Sequence, residues 1–178
     1  MEPWRRVWRT AVAPLLTVAQ LQRIRRALAE DDPRLIQGAT TTPPPLQSVQ
    51  DWPCEAGCLL AYAAVEDFGG WGTATVGEVE EFFARMCFEI DITLGEPAGC
   101  WWLLNYFDET ERGEMRRELL AEVDRWLAFL ADAEAIVQQV ADRLGKIAKG
   151  EVDGAQSEVS GVQDADPSWH VGPSSTPQ

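Results

Sequence analysis

The sequence predicts an all-α protein: a helical bundle of five to six helices with a long C-terminal helix and a disordered acidic tail. Three observations lead there. Apolar residues recur at three- and four-residue steps along most of the chain, the spacing of one helix face. Two capping boxes, Thr17 with Gln20 and Thr75 with Glu78, open such runs. The last run, over residues 110–149, keeps a heptad seam for four heptads without a proline. No strand pattern of useful length and no internal repeat competes with this reading.

The 178 residues, 46% hydrophobic and 25% charged, suit one domain with a substantial core, placed at residues 1–149 with the tail at 150–178. No apolar run reaches the roughly 18 residues that cross a bilayer. The N-terminal arginines are interleaved with tryptophans, and no uninterrupted apolar stretch follows, which does not read as a signal peptide. A cytoplasmic location and no membrane partner are the resulting expectations. Net charge is -14, yet residues 1–30 hold six arginines against Glu2 and Glu30. The remainder is therefore more acidic than the total. Such a body repels phosphate at long range, so nucleic acid is an unlikely partner. The basic segment suits an acidic surface, on a partner or on its own body.

Taken in order, Pro3 opens a first helix with Trp4, Val7, Trp8, Ala11 and Leu15 on one side and Arg5, Arg6 and Arg9 on the other; Pro14 ends or kinks it. Thr17 starts a second helix through Leu28 that stops near Asp31 and Asp32, and Pro33 to Gly38 reads as a short turn or helix. Residues 39–50 form a Thr- and Pro-rich connector, extended at Pro43, Pro44 and Pro45. Asp51 and Pro53 then predict a helix ending at Gly69 and Gly70, with Cys54, Cys58, Ala61, Tyr62 and Val65 on one face. Thr75 opens the strongest amphipathic run, from Val76 to Ile90, closed by Gly95. Pro97 starts a short helix through Phe107 that is apolar nearly all round and so belongs in the middle of the bundle. Asp108 and Thr110 are alternative caps for the long last helix.

Little catalytic chemistry can be assembled from these residues. The single histidine, His170, falls in the tail, so neither a Ser-His-Asp nor a Cys-His arrangement can be built in the folded part. Gly69, Gly70 and Gly72 lack the lysine and the strand-to-helix setting of a phosphate loop. The glutamate-rich helices lack the Glu-x-x-His pairs of di-metal bundles. The cysteines show no Cys-x-x-Cys knuckle, so Cys54, Cys58, Cys87 and Cys100 are the only metal candidates, and they lie mostly among apolar residues, where cysteine packs as a small hydrophobe. No cofactor is implied. Eight tryptophans are many for this length; Trp52, Tyr62, Trp71 and Trp102 are the candidate walls of a pocket, if core packing does not absorb them.

These observations predict a non-catalytic interaction protein or complex subunit that associates, as a homodimer or with a protein partner, through its long C-terminal helix. Residues Leu119 to Leu130 carry a wide apolar strip that suits the bundle. Val137, Val140, Leu144 and Ile147 form a narrower seam with no obvious internal partner, and are the predicted partner-binding residues. One alternative is an acidic inhibitor or immunity-type protein for a basic partner such as a nuclease. A second is a cysteine-dependent metal or redox protein.

Overall fold

A basic helical run at the N-terminus, buried against the body it precedes, organises the fold. The computed structural model describes residues 2–97 and 100–149; the tail predicted over 150–178 lies outside them. Helix α1 (Pro3–Val7) passes through a π turn (Trp8–Val12) into α2 (Ala13–Leu15). In the π turn the Ala13 N–H reaches the Trp8 carbonyl, one residue further back than in an α-helix. The run buries Trp4, Val7, Trp8, Ala11 and Val12. Its arginines meet carboxylates of the same chain. Arg9 grips Glu122 through Nε and a terminal nitrogen, both at 2.7 Å, and Arg5 reaches Glu122 at 2.8 Å and Glu118 at 2.9 Å. Arg6 pairs with Glu96. Trp4 lies flat on Tyr106, with ring centroids 4.1 Å apart, and the Arg5 guanidinium lies over the Trp4 ring, 4.5 Å from its centroid.

Helix α3 (Val18–Glu30) has both halves of its capping box, the Gln20 N–H on the Thr17 hydroxyl and the Thr17 N–H on the Gln20 amide oxygen. It ends where Asp31 turns left-handed at φ 56°. Beyond it the sequence-based expectations need correcting. Of the turn or helix expected from Pro33 to Gly38, a turn forms at Pro33 and Arg34, closed by the Leu35 N–H on the Asp32 carbonyl at 3.0 Å; Leu35 then bridges to Gly57, and the Ile36 N–H donates to the Gly57 carbonyl at 3.0 Å. The connector contributes strand β1 (Thr41–Thr42), which pairs antiparallel with β2 (Ala56–Gly57).

That pairing also truncates the helix predicted from Asp51. Residues 47–49 form a single 3-10 turn, and α4 spans only Leu59–Ala64 before a second 3-10 turn at Val65–Phe68. The intervening backbone is held from outside: Cys54 N–H donates to Ala74, Glu55 N–H to Thr42, Gly57 N–H to Arg34 and Cys58 N–H to Thr40. Donors committed to neighbouring segments cannot close a helix ladder. Gly57 is the enabling residue, because a Cβ there would meet the Cβ of Ala61 at 2.7 Å.

Helix α5 (Val76–Leu94) behaves as its pattern predicts. Thr75 and Glu78 complete the second capping box, Gly95 closes the helix at φ 69°, and Val76, Val79, Phe82, Met86 and Ile90 are buried. Helix α6 (Trp101–Glu109) does not lie in the middle of the bundle. It buries Leu103 and Phe107, while Trp101 and Trp102 are 51% and 43% exposed. Helix α7 (Arg112–Ala148) is capped by neither Asp108 nor Thr110. The Glu111 carboxylate accepts the N–H groups of Gly113 and Glu114, both at 2.9 Å, while Asp108 accepts the N–H of Gly38.

The described chain is thus all-α apart from one two-stranded ribbon, with a long C-terminal helix. One hydrophobic core joins the N-terminal run, α3, α4, α5 and α6 with Met115, Leu119 and Val123 of α7. The chain divides into two units, Met1–Val137 and Gln138–Gln178. No described helix is long and apolar enough to cross a membrane.

Candidate functional site

The four residues expected to bind a partner share a strip of α7 and are all exposed: Val137 68%, Val140 51%, Leu144 61% and Ile147 59%. Their three- and four-residue spacing puts them on one helix face, as the heptad reading requires. The structure adds two residues to that face. Phe129 and Ile136, at the flanking heptad position, are 57% and 61% exposed. The helix changes character along its length. Met115, Leu119, Glu122 and Val123 are buried, Trp126, Leu127 and Leu130 pack partly on the core, and no described residue from Ala131 onward is buried. Charge is graded along the same stretch: Asp132 and Glu134 stand at its start, and Arg143, Lys146 and Lys149 outnumber Asp142 at its end.

Of the four aromatic residues expected to wall a pocket, the structure brings two together. Tyr62 of α4 and Trp71 meet edge to face, centroids 5.2 Å apart, in a cleft of about 690 Å³. Trp52, 58% exposed, and Trp102, packed edge-on against Trp101, do not line it. The cleft is instead charged. Arg34 holds Asp32 through Nε and a terminal nitrogen at 3.1 and 2.7 Å and lies over the Trp71 ring. The Tyr62 hydroxyl donates to Asp32 at 2.6 Å. The Arg34 hydrogen bonds hold Asp32 well below the usual carboxylate range, and burial together with the Asp32 contact pushes the Tyr62 phenol up to about 12. Ala19, Gln22, Arg23, Arg26, Glu30 and Glu66 complete the lining. Sequence reading missed the polar members because nothing local ties Asp32 and Arg34, just past the end of α3, to a tyrosine some thirty residues later. With cations and carboxylates interleaved and Asp32 already satisfied, the cleft favours no one charge class of ligand.

The cysteines fall into two settings. Cys54 and Cys58 are not neighbours on one helix face, as the sequence suggested. Cys54 sits in the bridging segment, its thiol donating to the Ala56 carbonyl at 3.4 Å, and Cys58 precedes α4 in an extended conformation. Both are buried; desolvation raises the Cys54 thiol and pushes that of Cys58 up to about 12, leaving neither a ready nucleophile. Cys87 of α5 is half-buried, and the buried Cys100, at the head of α6, donates its backbone N–H to the Asp91 carboxylate at 2.9 Å. Among the described residues, no group of three or more His, Cys, Asp or Glu side chains is placed to hold a metal ion.

Comparison with known proteins finds no matching family model, no matching curated protein and no matching solved structure. The functional reading therefore rests on the chain's own geometry.

Proposed function

We propose that this protein is a non-catalytic association protein whose second half of α7 pairs with a second copy of the same helix, running antiparallel. The observation that supports this reading is the exposed strip of Phe129, Ile136, Val137, Val140, Leu144 and Ile147. Large apolar side chains that recur on one helix face at heptad spacing gain most by meeting a like surface. The charge gradient favours the antiparallel arrangement. It sets the acidic start of the stretch in one copy beside its more basic end in the other, whereas a parallel pair would align like with like.

Light scattering on the full chain tests the proposal. A mass of two chains at tens of micromolar is expected, falling to one chain in a Val137→Asp, Leu144→Asp variant whose helix content is unchanged. Each buried carboxylate would cost about 2 kcal/mol or more at such a seam, enough to weaken pairing well beyond tenfold. A wild-type chain that is monomeric at that concentration, with a mass the substitutions leave unchanged, overturns the self-association reading.

A further inference from the structure

We infer that the cleft between α3 and α4 binds a small basic zwitterion, a free α-amino acid or a dipeptide that carries one carboxylate and two cationic groups. Its walls come from separate elements. Arg23, Arg26 and Glu30, at three- and four-residue steps, share one face of α3. Tyr62 of α4 and Glu66 of the 3-10 turn that follows line the cleft from the other element. Asp31 ends α3 in the left-handed conformation, and the chain beyond it supplies Asp32 and Arg34. At about 690 Å³ the space is within the range of small-molecule sites, about 300–1,000 Å³, and admits a dipeptide with its water.

The walls are fixed by bonds within the chain. Arg23 donates to the Ala63 carbonyl at 2.7 Å and pairs with Asp67 at 2.8 Å, which ties α3 to the α4 side. Asp32 is held by Arg34 and by the Tyr62 hydroxyl, and Tyr62 in turn meets Trp71 edge to face. Gly70, at φ 89°, leaves room for the Glu66 carboxylate: a Cβ there would meet Glu66 Oε2 at 3.2 Å. A site set in advance loses little conformational freedom when a ligand enters.

Those bonds leave a definite set of charges for a ligand. Arg23, Asp32 and Arg34 are committed to partners in the chain. Arg26, Glu30 and Glu66 make no hydrogen bond or ion pair among the described residues. One guanidinium and two carboxylates therefore stand open in a single cleft. A simple anion would meet Arg26 but also both carboxylates, and a simple cation would meet the carboxylates but also Arg26. A ligand that bears the inverse set suits all three, its carboxylate on Arg26 and its two cationic groups on Glu30 and Glu66. Tyr62 and Trp71 add aromatic surface for the methylenes of a basic side chain. None of the lining residues belongs to α7, so binding does not require self-association.

A chemical-shift titration of the isotope-labelled full chain with L-arginine and with glycyl-arginine tests this. Saturable shifts of the Trp71 indole N–H and of the Arg26 and Glu66 amides are expected, and the probe that binds more tightly distinguishes a free amino acid from a dipeptide. Agmatine, which lacks the carboxylate, and N-acetyl-arginine, which lacks the α-ammonium, should each bind about tenfold or more weakly than L-arginine. Arg26 and Glu66 are exposed, so their substitution leaves the core intact. Arg26→Ala should weaken L-arginine to the level of agmatine without weakening agmatine itself, and Glu66→Gln should weaken L-arginine by a similar factor. Agmatine bound by the wild type as tightly as L-arginine overturns the inference, as does an Arg26→Ala chain that keeps wild-type affinity. So does a lack of saturable shifts in the cleft with both probes at about 10 mM.

Discussion

Glu122 is 1% exposed, yet it is ionised, because Arg9, Arg5 and Arg125 all donate to its two oxygens. Those hydrogen bonds, that of Arg9 first, outweigh the cost of burial and lower its pKa to about 2. The sign of the pH dependence follows. An unfolded glutamate titrates near about 4.3, so the folded state binds its proton less readily. The resulting stabilisation is complete above about pH 5 and is lost as pH falls from there toward 2. Neutralising the side chain should therefore cost about 3 kcal/mol at pH 7, a shift of roughly two pKa units at 1.36 kcal/mol each. Glu122→Gln is expected to show that loss in urea unfolding at pH 7, with the gap to wild type narrowing steadily below pH 4. A gap that does not change with pH would assign the effect to packing instead. In the sequence Glu122 is one acidic residue among many on a long helix, and its partners lie more than a hundred positions away. Sequence reading offered the body as one of two acidic surfaces for the N-terminal arginines, but it had no means of naming this carboxylate.

At the scale of elements, α7 is one helix with two kinds of surface. Met115 to Val123 meets the core, and the strip from Ile136 to Ile147 is exposed. Both halves were legible as heptads, since helix periodicity depends on local spacing alone. The capping boxes of α3 and α5 were legible for the same reason, each being a local hydrogen-bond exchange between residues three apart. The Cys54–Cys58 helix was misread because its donors are drawn off by Thr42, Ala74, Arg34 and Thr40, all distant in sequence. The charge gradient of α7 yields a prediction of its own. Replacing Arg143 and Lys146 by glutamate should weaken self-association severalfold at low salt. Mixing that variant with one carrying Asp132→Lys and Glu134→Lys should restore pairing, as a mixed dimer. The rescue should fade as salt screens exposed charges beyond about 10 Å. Analytical ultracentrifugation of each chain and of the mixture reads both effects, and a parallel pairing would show no weakening by the first variant alone, because it exchanges one like-charge alignment for another.

Across the whole molecule, the N-terminal run is part of the core and no mere appendage. Trp8 is fully buried, as are Val7, Ala11 and Val12, and they pack in the same cluster as Leu59, Ile90, Phe107 and Leu119. Truncating Trp8 to alanine should cost about 3–5 kcal/mol of global stability, the range for large-to-small changes in a packed core. It should appear as one cooperative shift in thermal unfolding, whereas an independently docked helix would leave the main transition in place. Composition and periodicity determined the helical class, the places where α3 and α5 begin, and the length of α7, because each of these is a matter of spacing, capping and the absence of proline within a few residues. Tertiary structure alone decided that Ala56 and Gly57 would join a ribbon, and that Tyr62 and Trp71 would share a cleft with Asp32 and Arg34 while Trp52 and Trp102 stayed outside it. Those outcomes depend on which distant backbone donors and side chains reach a segment first, and local pattern carries no record of that competition.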